Sequence, residues 1–292
     1  MSKGISAQDV KTGSGKANNK NYSYSFMEPT IPAKGMLILL PGWGENAPSV
    51  FGKTKLPGIL LEKGFVTIVP QLHQTLFADE LAIAILNSII EAQSGRHGSD
   101  HLPVIIGGLS AGGAIAIGYA EHVKRENNLK NLVAVFAIDP PLDLVRMYRS
   151  AENKIAYSCK NKLIRKEGAN TKNYLTKALD GSPEENPASY RKYAAFSANE
   201  PDGGNAKYLQ HIPIRLYAEP DLDFVRNTYC QQLQMEDINA FDLEKLNKFL
   251  AGMHNNKAEY IATKGRGFHS WNIPEAKDCA DWILAICAET KL

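Results

Sequence analysis

Gly107-Gly108-Leu109-Ser110-Ala111-Gly112-Gly113 is the stretch on which the fold turns. It follows a short apolar run at 103–106 and opens a helical pattern over 111–124. Within it lies G-x-S-x-G with Ser110 at the centre. A serine lifted out of a sheet on a sharp strand-to-helix turn needs very small residues two before and two after it. The helix beginning at Ala111 would point its free N–H groups at an oxygen held beside that serine. A phosphate-binding turn is the competing reading. The stretch lacks the lysine of a P-loop and the spacing of G-x-G-x-x-G.

Working outward, the same strand-then-helix rhythm recurs. Apolar runs at 36–40, 65–69, 132–138, 214–218 and 260–263 stop at Gly, Pro or Asp. Runs this short and apolar throughout read as strands covered on both faces. Between them, 78–92, 237–250 and 275–288 carry apolar residues every three or four positions, the stripe of a helix lying on a sheet. Alternation of this kind predicts an α/β fold with a mostly parallel central sheet and helices on both faces. Residues 21–29 could add an edge strand.

One interruption stands out. About 75 residues separate the runs at 132–138 and 214–218, too many for an ordinary connection. Residues 146–177 look helical and basic, with nine Lys or Arg against two Glu, and 181–206 are rich in Pro, Gly and Asn. The reading is an inserted helical cap over 140–212. The core is 22–139 with 213–292, and 1–21 is a flexible polar leader. Tyr157, Tyr174, Tyr190, Tyr193 and Phe196 are candidates for an apolar wall over Ser110, and Arg165 and Lys166 for recognition of an anionic substrate. A solvated helical face is the plainer role for the basic stretch.

Composition sets the remaining limits. The chain has 292 residues, 44% hydrophobic and 22% charged, with a net charge of +2. That is enough for a full core and too little charge to imply a nucleic-acid partner. No apolar run approaches the roughly 20 residues of a membrane span. The polar start has no apolar leader of the secretory kind, which favours a soluble protein of the cytoplasm, with export of a longer precursor as the alternative. Cys159, Cys230, Cys279 and Cys287 are widely spaced, so free thiols are expected rather than a disulfide framework. No metal or cofactor motif appears, and the oligomeric state is open.

The chemistry needs partners for Ser110. Leu40-Pro41-Gly42-Trp43-Gly44-Glu45 follows the first core run, and its glycines let backbone approach a substrate carbonyl. Trp43 and Ala111 are the candidate oxyanion N–H donors. Among seven histidines, His269 lies in the loop after the last strand, on the same sheet edge as Ser110. His73 also follows a strand, earlier in the chain; His97, His101, His122, His211 and His254 fall in polar connections or on helix surfaces. The acid that orients the imidazole is Asp221 by position, three residues past the strand at 214–218. Glu219, Asp223 and the post-strand Asp139 are the alternatives.

Together these residues resemble the α/β-hydrolase superfamily, over roughly 30–290. The order Ser110, Asp221, His269 matches that superfamily's Ser, acid, His order. Asp139-Pro-Pro-Leu-Asp143, Glu219-Pro-Asp221 and His269-Ser-Trp271 look like segments of small bacterial hydrolases. Pro41 departs from the histidine common in the oxyanion loop. The resemblance implies a serine hydrolase needing no cofactor and acting on a small-molecule ester or peptide. Cleavage of a carboxylic ester through an acyl-enzyme leads, a peptidase or amidase of the same fold is second, and a non-catalytic binding protein third.

Overall fold

The structure, a computed structural model, describes residues 10–99, 101–128 and 131–289. Its centre is one sheet of eight strands: β1 (Lys11–Ala17), β2 (Lys20–Met27), β3 (Gly35–Leu40), β4 (Phe65–Gln71), β5 (Val104–Leu109), β6 (Leu132–Ile138), β7 (Ile214–Ala218) and β8 (Ala258–Ala262). Their order across the sheet is β1-β2-β4-β3-β5-β6-β7-β8. The β1–β2 and β2–β4 pairs are antiparallel, and every pair from β4 to β8 is parallel.

The sheet is covered on both faces. In β3, Met36, Ile38 and Leu40 face one apolar layer, whereas Leu37 and Leu39 face the other. This is the period of two that a pleated strand imposes. Helices α1 (Ala47–Val50), α2 (Leu56–Glu62) and, at the far end of the chain, α10 (Ala276–Glu289) close the second layer. Helices α3 (Glu80–Arg96), α4 (Ala111–Glu126) and α9 (Ala240–Gly252) close the first.

Between β6 and β7 the chain leaves the sheet and forms α5 (Leu144–Ala156), α6 (Lys162–Ala178), α7 (Pro187–Tyr193) and a 3-10 turn, Gly204–Leu209. These helices share a small third core in which Leu144, Tyr148, Leu175 and Tyr190 meet Leu76, Phe77 and Ala111. A further short helix, α8 (Leu222–Thr228), and a 3-10 turn, Met235–Asp237, follow β7. Among the described residues no helix is long and apolar enough to cross a membrane.

Two expectations are corrected here. From Lys11 on, the polar segment expected as part of a flexible leader is β1, paired along its whole length with β2 from Lys11↔Phe26 to Ala17↔Lys20. Its polarity reflects its position at the sheet edge, with most of its residues exposed. Gly13 leaves room for the Tyr24 ring, which a Cβ would meet at 2.2 Å. Residues 1–9 of that leader lie outside the described residues. The second correction is a disulfide, Cys159–Cys230, with its Cα atoms 5.4 Å apart, a separation within the usual range for a bridge. It links the α5–α6 connection to the end of α8, 71 residues on. Cys279 and Cys287 are free, the first of them buried.

Candidate active site

Ser110 caps α4 with φ 54° and ψ −122°, a backbone conformation that L-residues avoid and that persists only where the surroundings enforce it. The enforcement is steric and local. A Cβ on Gly112 would lie 2.1 Å from the Leu40 carbonyl oxygen, and one on Gly108 would lie 2.5 Å from the Gly112 backbone. The Ser110 N–H donates to the Ile138 carbonyl at 2.8 Å, so the turn is tied to the end of the neighbouring strand.

That neighbouring strand ends in a carboxylate that reaches His269. Asp139, the first residue after β6, has φ 46°, a left-handed conformation that aspartate tolerates better than most residues. Its N–H donates to the Tyr217 carbonyl of β7 at 2.7 Å. Its Oδ2 lies 2.5 Å from Nδ1 of His269. The carboxylate side chain is buried, whereas that of His269 is 39% exposed. His269 itself sits at φ 53°. Serine, aspartate and histidine therefore all occupy positive-φ positions, where strain is held by the surrounding loops.

The carboxylate in contact with His269 is therefore Asp139, not Asp221, the residue expected from the sequence. Asp221 does not reach His269; its Oδ1 accepts the Phe224 N–H at 2.8 Å and caps α8. Glu219 accepts the Arg266 N–H at 2.7 Å and the Thr263 hydroxyl at 3.2 Å, anchoring the start of the histidine loop. Asp223 is exposed in the first turn of α8. The β6 tip is the strand end next to Ser110, whereas β7 lies one strand further out.

The histidine loop is also held by Arg266 and Trp271. The Arg266 guanidinium donates to the carbonyls of Asn272, Ile273 and Pro274. The buried Trp271 donates its indole N–H to Glu45 Oε2 at 3.1 Å. The same Glu45 oxygen accepts the Gly42 N–H at 2.8 Å, and Lys53 pairs with its other oxygen. Burial pushes the Glu45 carboxyl up, but these donors outweigh it and hold it below the usual range. One carboxylate thus couples the loop after β3 to the loop that carries His269. The sequence offers Glu219 only as an alternative acid, and the anchoring contacts of Glu45, Glu219 and Arg266 are marked by their tertiary partners alone.

Behind Asp139, the Asn239 side-chain amide donates to its carbonyl at 3.0 Å. Asn239 also accepts from Arg146, which forms an ion pair with the buried Asp242. Asp242 in turn accepts the N–H groups of Leu142 and Asp143, both at 3.0 Å. The chain leaving β6 is therefore fastened to α9 directly behind Asp139.

For His269, burial alone favours the neutral ring. The hydrogen bond and charge of Asp139, with smaller contributions from Glu167 and Glu45, outweigh it and hold the imidazole above its ordinary value.

Trp43 and Ala111 line one cavity beside the elbow, together with Gly42 and Gly44. The Gly42 N–H is already taken by Glu45. The Trp43 ring is 47% exposed, not part of the core, and meets Tyr174 edge-on with ring centroids 4.9 Å apart. Of the five residues expected to wall the site, Tyr174 alone makes a ring contact with this loop. Tyr190 and Phe196 are buried, Tyr193 stacks on Phe77, and Tyr157 donates to Asp237. Arg165 donates to the Ile155 carbonyl within the insertion. His73 also lines the cavity, paired with Asp79 at 2.7 Å.

No family model matches the sequence, and no curated protein does. Solved structures do. A fungal esterase from Rhizomucor miehei is matched at 12% identity with a TM-score of 0.63, over 96% of this chain and 83% of that one. An S-formylglutathione hydrolase from Agrobacterium tumefaciens is matched at 14% identity and a TM-score of 0.57, over 96% and 94%. An acylaminoacyl peptidase from Pyrococcus horikoshii is matched at 12% and 0.59, over 94% of this chain and 41% of that one. The chain has the α/β-hydrolase fold.

Proposed function

We propose that this protein is a serine hydrolase that cleaves carboxylic esters, with Ser110 as nucleophile, His269 as general base and Asp139 as the acid that orients it. The observation that carries the reading is the 2.5 Å contact between Asp139 and His269, with Asp139 at the end of the strand next to the one that leads into the strained Ser110. His269 takes the hydroxyl proton as Ser110 Oγ attacks the carbonyl carbon. The Ala111 and Trp43 N–H groups hold the oxyanion. When the bond to the alcohol oxygen breaks, the imidazolium gives its proton to the leaving alkoxide. A water, activated by the same histidine, then releases the acid and restores Ser110. Asp139 keeps the ring in one tautomer and stabilises the imidazolium.

The fold likeness includes esterases and a peptidase, so ester and amide substrates need direct comparison. Labelling by a fluorophosphonate that disappears in Ser110→Ala, with turnover of esters above that of matched amides, is the expected result. A wild-type protein that resists the probe and hydrolyses neither class would refute the proposal. Residues 140–212 act in this reading as a cap bounding the substrate. The Cys159–Cys230 bridge supports residence in an oxidising compartment over the cytoplasm. Protein isolated from its native host without reductant should then present two free thiols after denaturation, and four would count against it.

A further inference from the structure

The strand order divides the mouth of the site into two unlike halves. On the β3–β4 side of Ser110 lie the oxyanion loop and the chain following β4. On the β6–β8 side lie His269 and α8. In ester cleavage the histidine protonates the leaving oxygen, so the alcohol departs on its side and the acyl group occupies the other.

The acyl side is small and braced. Trp43, Leu72, Thr75 and Ile115, with the polar Gln71 and His73, line a cavity of about 30 Å³ that opens to solvent, room for about two water molecules. Its wall is held by hydrogen bonds. The buried Thr75 donates to the Phe77 carbonyl at 3.0 Å. The Tyr174 hydroxyl accepts the Leu76 N–H at 3.2 Å while its ring abuts Trp43. A longer chain would run past this apolar wall onto polar side chains and solvent.

The alcohol side is open and aromatic. Phe224 and Tyr229 are 44% and 37% exposed, two of only five large apolar side chains that stand out among the described residues. Phe224 packs on Phe268 at 5.8 Å and on Tyr229 at 6.4 Å. Phe268 immediately precedes His269. The platform is fixed in place, since Asp221 caps α8, the Arg226 Nε donates to the Leu233 carbonyl at 2.7 Å, and Cys230 is bridged to Cys159. Exposed rings on a fixed support offer their faces to a flat apolar partner.

We infer that the site takes acetyl or propionyl esters of bulky aromatic alcohols, the acyl group beside Trp43 and Thr75 and the alcohol on Phe224 and Phe268. This rests on the serine hydrolase reading above. Two ester series test it, both built on alcohols of similar acidity. With 2-naphthylmethanol held constant, kcat/KM should peak at acetyl or propionyl and fall from butyryl onward. A pocket that buried the chain would instead gain about fourfold per added methylene. Leu72→Ala, at a half-buried wall position, should move the peak to longer acids. With acetyl held constant, 2-naphthylmethyl acetate should exceed methyl acetate by at least tenfold, chiefly in KM. Phe224→Ala should remove most of that ratio. A rate that climbs through hexanoyl, or a Phe224→Ala variant that keeps the full alcohol ratio, overturns the inference. If Ser110 still reacts with the fluorophosphonate in that case, the hydrolase reading stands and the pocket assignment alone is wrong. If no ester in either series is turned over and no label is taken up, both fall.

Discussion

The ends of β6 and β7 lie side by side in the sheet, and each leads into an acidic turn that begins Asp-Pro or Glu-Pro. Asp139, at the first, meets His269 at 2.5 Å. Glu219, at the second, holds the backbone of Arg266 three residues before the histidine, and Asp221 caps a helix. Residue chemistry is nearly the same at both tips. What separates them is distance from the elbow: β6 adjoins β5, so its first carboxylate emerges beside Ser110, while β7 is one strand further away and meets the rising histidine loop at its base. A carboxylate takes its role from the backbone it faces. Facing an imidazole it fixes the ring; facing a loop's N–H groups it sets where that ring stands.

The sharpest way to break this comparison is Asp139→Asn. The amide keeps the shape but can present N–H to the imidazole and disfavour the productive tautomer, so kcat should fall by roughly 10² to 10⁴ with KM little changed. Steady-state kinetics on an acetate ester checks it, and full activity would return the acid to the β7 turn.

Glu219→Ala should have a smaller and different effect. It strips the Arg266 N–H and Thr263 hydroxyl of their acceptor, costing about 1–3 kcal/mol of stability. Because the histidine loop loosens, kcat should also fall, by about tenfold. Glu219→Gln retains an acceptor oxygen and should restore much of both. Denaturant melts alongside kcat separate this from simple unfolding. A loss as large as that of Asp139→Asn would make Glu219 the acid in function.

The pH profile sharpens the same point. In its proposed role as base His269 must be neutral, and Asp139 holds its pKa above the ordinary 6.5. In the wild type, kcat/KM should therefore fall with decreasing pH through a midpoint above 6.5. In Asp139→Asn the charge that raises the pKa is gone and burial remains, so the midpoint should move to lower pH. An unmoved midpoint would mean that another group sets it.

Asp221→Ala should change least. Loss of the helix cap costs about 1 kcal/mol, and kcat should stay within about twofold, as for a carboxylate remote from the chemistry. A drop of a hundredfold would restore the assignment that spacing alone suggests.

Some of this molecule is written in its local sequence. Gly108 is required by the backbone of Gly112 within the same turn, and Gly112 by the tip of the adjacent β3; both glycines lie within two residues of Ser110, so the sharp turn is legible from a few neighbouring residues. The alternation of short apolar runs with helical stripes declares a parallel sheet, because each run must be covered on both faces. His269 is legible because it follows the last strand. The choice among four carboxylates was not. It joins residues 130 positions apart and depends on strand order and on the path of a loop fastened by Glu219, Arg266 and Trp271. The Cys159–Cys230 bridge crosses two excursions from the sheet, and widely spaced cysteines carry no sign of their pairing. The strand at Lys11–Ala17 was hidden for a different reason: an edge strand needs only backbone partners and can remain polar along its length. Sequence determined what obeys short-range sterics and periodicity. Tertiary structure decided which distant side chains meet, because that follows from how whole strands and loops are stacked.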